Sequence, residues 1–208
     1  MRRSALPAIE LKLLNTLRTT AILVLYLCSQ VLVIKMTMTI DQPTAHLIYG
    51  PTAAGKSTYA RRLAADAHGV RFAVDEWMCA LFGADVPDRM DMALVMPRVA
   101  RCQAQVWSVA RQILGVGTNV VLELGLLRKA DRDSIKAKVE QEGFVALFHF
   151  VDAELPIRRQ RLLQRNTEKG PTYSFDVTPA MFEAIESYFE RPTESELAGT
   201  RLVGEAQP

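Results

Sequence analysis

At 208 residues, with 49% apolar and 23% charged side chains, the chain has ordinary globular composition and enough length to bury one core. A formal net charge of +2 excludes any argument from charge alone for a nucleic-acid or membrane-surface partner. Three widely spaced cysteines, Cys28, Cys79 and Cys102, exclude a disulfide framework and a thiolate metal cluster, and are expected as reduced thiols in the cytoplasm.

Residues 1–37 stand apart from the pattern that follows. Ala21 to Ile34 reads AILVLYLCSQVLVI, an apolar run shorter than the ~20 residues of a membrane-crossing helix. Three readings stand: an upstream extension outside the fold, a peripheral packing helix, or a marginal anchor over residues 19–35. An anchor with Arg2, Arg3, Lys12 and Arg18 ahead of the run would export the rest of the chain. A secretory signal lacks its small-residue cleavage site. The expectation is a hydrophobic extension over 1–37, with Met36 or Met38 as a possible start, and a working domain over 38–208.

The segment AHLIYGPTAAGKSTYARR carries the most information. His46 to Tyr49 is a short apolar run suited to a buried parallel strand. Gly50, Pro51, Thr52, Ala53, Ala54, Gly55, Lys56 and Ser57 then fit the phosphate-loop pattern G-x-x-x-x-G-K-[ST] without mismatch. Tyr59, Leu63 and Ala67 follow at helical spacing, and Gly69 offers a stop. Glycines let the backbone turn tightly toward an anion, and successive N–H groups with the helix N-terminus behind them hold it. Lys56 is expected on the β- and γ-phosphates, Ser57 on Mg2+, and Thr58 near the α-phosphate. ATP and Mg2+ are therefore the expected cofactors. An exported ATP site would find little ATP, which argues against the anchor.

Beyond the loop, strands and helices alternate. Strands are expected over Val70–Val74, Asn119–Leu124, Phe144–Val151 and, at an edge, Arg201–Val203. Helices are expected over Glu76–Phe82, Met92–Leu114, Arg128–Glu142, Glu154–Lys169 and Thr178–Glu190; Pro97 marks a kink or a start, Pro87 a loop, and Thr178 with Pro179 opens the last helix. This alternation predicts an α/β three-layer sandwich of the P-loop NTPase type, with a mostly parallel sheet and helices on both faces. Ligands of such sheets sit at the carboxyl ends of the strands, where Gly50, Asp75 and Glu123 all fall.

Those strand ends hold the remaining candidates. Asp75 either receives or orients the proton of an attacking hydroxyl, or caps the helix that starts at Glu76. Glu123, in the apolar strand NVVLEL, is costly to bury unpaired, and near the loop it would serve the metal or its water; the bland alternative is an exposed strand-end carboxylate. Arg158, Arg161 and Arg165 share a helix face and repel one another unless anions meet them, so one of them is expected to stabilise a transferring phosphoryl group. A solvated or RNA-facing patch is the alternative. Arg128 and Arg132 point to substrate or to a carboxylate such as Asp131. His149 and Trp107 read as packing residues, and Trp77, close to Asp75, as packing or a pocket wall.

From Thr44 onward the chain resembles the small P-loop kinases and AAA-type ATP-binding proteins that include the polynucleotide kinase phosphotransferase domain, zeta toxins and chloramphenicol phosphotransferase. The matching segments are GPTAAGKST, FAVDEWMCALFG, NVVLELGLLRKADRD, LPIRRQRLLQRN and TPAMFEAIESYFERPTESEL. The resemblance implies that Asp75 activates the acceptor hydroxyl, that Lys56 and Ser57 serve phosphate and magnesium, and that Arg161 and Arg165 belong to a lid over ATP. It places Glu194 and Glu196 in a late segment near the nucleotide. Ala53 stands where many relatives have glycine, and Glu123 where similar sequences often have aspartate. The implied activity is transfer of the ATP γ-phosphoryl group to a hydroxyl of an unidentified small molecule. A nucleic-acid 5′-hydroxyl, a nucleotide sugar as in zeta toxins, or a nucleotide-dependent switch without an acceptor are the alternatives.

Overall fold

The structure, a computed structural model, describes residues 42–83, 92–170 and 173–204. The expected extension over 1–37, its alternative as an anchor over 19–35 and the loop around Pro87 lie outside the described residues. Among the described residues no helix is long and apolar enough to cross a membrane.

Five strands form one parallel sheet in the order β2–β3–β1–β4–β5. They are β1 (Thr44–Tyr49), β2 (Val70–Ala73), β3 (Val120–Glu123), β4 (Val145–Val151) and β5 (Thr200–Val203). The helices are α1 (Lys56–Asp66), α2 (Val74–Phe82), α3 (Met92–Gly115), α4 (Lys129–Gln141), α5 (Leu155–Glu168), α6 (Pro179–Tyr188) and the single turn α7 (Glu194–Leu197). The continuous apolar runs expected of central strands are here: β3 is buried at all four positions and β1 at five of six.

Alternation along the strands divides the core between the two faces of the sheet. Leu47, Tyr49, Leu122 and Phe150 pack with Val106, Ala110 and Leu114 of α3 and Ile135 and Val139 of α4. Ile48, Val121 and Val151 pack with Ala60 and Leu63 of α1 on the other face. Helices on both faces of an all-parallel sheet give the expected three layers.

Three local alternatives are decided. Val74 belongs to α2, whose N-cap is Ala73 without a side-chain cap bond, so Asp75 sits in the first turn and is not the cap. Pro97 lies inside α3 rather than starting it. Trp77 packs against Phe72 and the core at a ring separation of 6.2 Å. Thr178 does cap α6, its hydroxyl accepting from the Met181 N–H.

Candidate active site

β1 ends at Tyr49, and the chain turns at Gly50, φ 146°. A Cβ there would stand 1.9 Å from the Val151 carbonyl oxygen, so only glycine lets the loop leave between β1 and β4. The loop closes at Gly55, φ 100°, the N-cap of α1. Lys56 folds back over this crown and donates to the carbonyl oxygens of Gly50 at 2.9 Å and Pro51 at 2.7 Å. Burial lowers the Lys56 ammonium below its ordinary range, against the opposing pull of Asp75 and Glu123.

The loop faces a cleft of about 460 Å³. Gly50, Thr52, Ala53, Gly55, Lys56, Ser57 and Thr58 line it, while Pro51 and Ala54 are buried in the turn beneath. Asp75, Glu123, Arg161 and Arg165 line the same cleft, so the dispersed candidates meet in one place. Asp75 is open to solvent at the cleft wall, yet desolvation by the protein around it pushes its carboxyl above its ordinary range, and Lys56 and then Arg165 pull it back.

Helix α5 divides the arginine cluster. Arg158, 1% exposed, points into the core, where its Nη1 and Nη2 donate to the two carboxylate oxygens of Glu186 at 2.6 and 2.7 Å and its Nε to the Ala153 carbonyl at 3.0 Å. Arg159 pairs with Glu183 at the surface. Arg161 reaches the loop, its Nη1 at 3.4 Å from the Ala54 carbonyl oxygen. Arg165 differs from all of these. Among the described residues, its Nε is the one buried side-chain nitrogen or oxygen without a hydrogen-bond partner. A buried guanidinium donor left open beside a phosphate loop is what an anion would complete.

Glu123 is buried rather than an exposed strand-end carboxylate, and it is paired. Its Oε2 accepts from the Ser57 hydroxyl at 2.8 Å and its Oε1 from Arg71 Nε at 2.6 Å. A hydroxyl and a carboxylate oxygen held together are donors suited to magnesium. Arg71 escaped the sequence reading. The available signal was an arginine inside the otherwise apolar strand VRFAV, which demands a carboxylate partner.

Arg132 and Glu196 belong elsewhere. Arg132 Nε donates to Glu196 Oε1 at 2.7 Å, and its guanidinium lies over the Tyr49 ring at 5.0 Å. Burial works against the Glu196 charge, yet Arg132 and the Thr193 cap hold its carboxyl down at about 2. This pair ties α7 to α4; neither residue lines the cleft. Arg128 lies over the Tyr188 ring at 4.1 Å, while Asp131 accepts from its backbone N–H.

Similar folds occur among kinases. A Chloroflexus aurantiacus J-10-fl protein provisionally described as a kinase superimposes with a TM-score of 0.61 at 19% identity, over 79% of this chain and 89% of that one. Kti12 of Chaetomium thermophilum, solved with ADP-AlF3, gives 0.57 at 14% identity over 78% and 89%. A gluconokinase from Sinorhizobium meliloti 1021 gives 0.53 at 16% identity over 80% and 85%. At these identities the likeness is one of fold. No curated protein sequence matches the chain. The family model described as an AAA domain matches residues 46–192, most of the chain and all the cleft-lining positions named above, and the chain belongs to that family of P-loop proteins.

Proposed function

We propose that this chain is a kinase that moves the γ-phosphoryl group of ATP to a hydroxyl of a small molecule. The observation that carries the reading is the convergence of Lys56, Arg161, Arg165 and Asp75 on one cleft beside the loop. Three cations and a carboxylate there match the needs of phosphoryl transfer, which is mostly positioning and charge stabilisation.

In this reading the N–H groups of the loop and Lys56 hold the β- and γ-phosphates. To do so, Lys56 exchanges its carbonyl partners for phosphate oxygens. Arg161 and Arg165 offset charge on the phosphoryl oxygens, and the open Nε of Arg165 gains its missing acceptor. Asp75 accepts or orients the proton of the acceptor hydroxyl; its upward-shifted carboxyl is a better base than an ordinary one. Ser57 and Glu123 hold magnesium, which when bound neutralises phosphate charge. Residues 38–208 are the working unit in this proposal.

The test is ATP consumption by the purified chain with magnesium. The panel holds neutral polyols, sugar acids, nucleosides, nucleotide sugars and 5′-hydroxyl oligonucleotides, with Lys56→Ala and Asp75→Asn alongside. Acceptor-stimulated turnover lost in both variants supports the kinase. Tight ATP binding with no stimulated turnover points instead to a nucleotide-dependent switch.

A further inference from the structure

A closed ring of side chains runs behind the loop. Ser57 donates to Glu123; Glu123 accepts from Arg71 Nε at 2.6 Å; Arg71 donates through both terminal nitrogens to Glu76 Oε1 at 2.9 Å each; and Arg61 donates to the same oxygen at 3.1 Å. Ser57 and Arg61 stand one turn apart on α1, so the ring leaves that helix and returns to it. The sheet register explains the central contact. Arg71 is opposite Val121 and Ala73 is opposite Glu123, which makes Arg71 and Glu123 diagonal neighbours on one face. Both are mostly buried, with side chains 13% and 8% exposed.

All three nitrogens of the Arg71 guanidinium donate to carboxylates, which commits three of its five N–H donors to Glu123 and Glu76. Its position sets its task. Glu123 is one methylene longer than aspartate and has one more rotatable bond, yet it must present a fixed oxygen to Ser57. A guanidinium bonded to the other oxygen removes that freedom and compensates its charge.

We propose that Arg71, braced by Glu76, is the positioning residue of the magnesium site: it locks Glu123 against Ser57 so that the pair meets the metal and its bound water in one arrangement. This rests on the reading of Ser57 and Glu123 given above, but not on phosphoryl transfer. Groups that orient a metal's ligands typically change its affinity by about 10–100-fold when removed. A carboxylate already compensated by arginine also suits a magnesium-bound water better than direct coordination, since magnesium keeps several of its waters.

The experiment is binding of a non-hydrolysable ATP analogue to the full chain by titration calorimetry, without metal and across a magnesium chloride series. Arg71→Met should raise the magnesium concentration for half-maximal enhancement roughly tenfold or more and leave metal-free affinity within about twofold. Arg71→Lys, which keeps one donor and the charge, should recover part of the loss and serves if Arg71→Met fails to fold. The double variant Arg71→Met/Glu123→Gln should need no more magnesium than Glu123→Gln alone, because Arg71 acts through Glu123. Three results overturn the proposal: an equal loss of metal-free affinity, multiplying effects in the double variant, or a wild-type affinity indifferent to magnesium. Normal magnesium coupling with no turnover on any acceptor would sink the kinase reading and leave this one standing.

Discussion

Two ends of helix α5 carry arginines of opposite fate. At its start, Arg158 is sealed in the core with every nitrogen engaged, two of them by the Glu186 carboxylate. Two turns later, Arg165 has a buried Nε that no protein atom meets, beside Asp75 and the phosphate loop. Three and four residues separate Arg158, Arg161 and Arg165, so they leave the helix on one side. What differs is the second helix that lies against that side. Glu186 of α6 faces Arg158, whereas the cleft faces Arg165. A completed arginine holds two helices together, and an incomplete one waits for a ligand.

The sharpest way to break this comparison is to remove each arginine and read both turnover and melting. Arg165→Ala should cut acceptor-dependent turnover roughly a thousandfold. Its melting temperature should stay within about 2 °C, since no hydrogen-bonded carboxylate is stranded. Arg158→Met should do the reverse. It leaves Glu186 without its guanidinium and should lower stability by about 3 kcal/mol. That corresponds to a fall of roughly 6–12 °C in melting temperature for a domain of this size. Adding Glu186→Leu should restore most of that loss, because a pair replaced whole costs less than a pair broken. Loss of turnover at unchanged stability in Arg158→Met would erase the distinction.

The sequence reveals Arg165 and Arg161 only in part, and the reason is physical. The loop from Gly50 to Ser57 is local: one short segment supplies its turns, its lysine and its hydroxyl, so eight letters specify it. The parallel sheet is nearly as legible, because strands buried on both faces read as unbroken apolar runs. Beyond the loop, the site and the packing around it depend on pairings between residues far apart in the chain. Arg71 and Glu123 are 52 positions apart, Arg158 and Glu186 are 28, and Arg132 and Glu196 are 64. Helical spacing placed Arg158 with Arg161 and Arg165 but could not say which carboxylate each would meet. Nor does the ERPTESE stretch show in one dimension that Glu196 serves a cap and a buried arginine.

A second contrast concerns the two faces of β1 and β4. Toward α3 and α4 the strands bury hydrocarbon. Toward α1 they bury two imidazoles, His46 and His149, joined at 3.0 Å, with the Tyr59 hydroxyl 2.8 Å from His149. Burial, then His46 and Arg201, hold His149 down at about 3, and burial with Arg201 lowers His46. His149 is neutral in the fold, His46 is shifted the same way, and both protonate near 6.5 once unfolded. The unfolded chain therefore binds more protons, and stability falls as pH drops from 6.5 toward 3. Glu196 acts in the same direction only below its ordinary 4.5, and the raised Asp75 carboxyl acts in the opposite direction, so a variant without the two histidines is what isolates them. Melting temperatures across the interval from about 6.5 to 5 should decline in the wild type and decline less in a His46→Gln/His149→Gln variant. An unchanged slope would show that this face of α1 is held by its apolar residues alone.

The smallest effect tests how the phosphate loop is joined to the arginine helix. Ala53 sits at φ 61°, a left-handed conformation that costs an alanine about 1–2 kcal/mol. Its methyl group, however, packs against Leu162 of α5, Val177 and Phe182, the small cluster that seats the helix carrying Arg161 and Arg165. Ala53→Gly would relieve the strain but remove that contact and add freedom to the unfolded chain, losses of about 0.5–1 kcal/mol each. The terms nearly cancel, so the melting temperature should move by less than about 3 °C. Turnover should respond more than stability, falling severalfold, because the methyl is the apolar tie between the loop that grips the phosphates and the helix whose guanidiniums must reach them. A large drop in stability with normal turnover would mean the opposite: the cluster would be ordinary core, and the placement of Arg165 would come from α6 through Arg158 and Glu186.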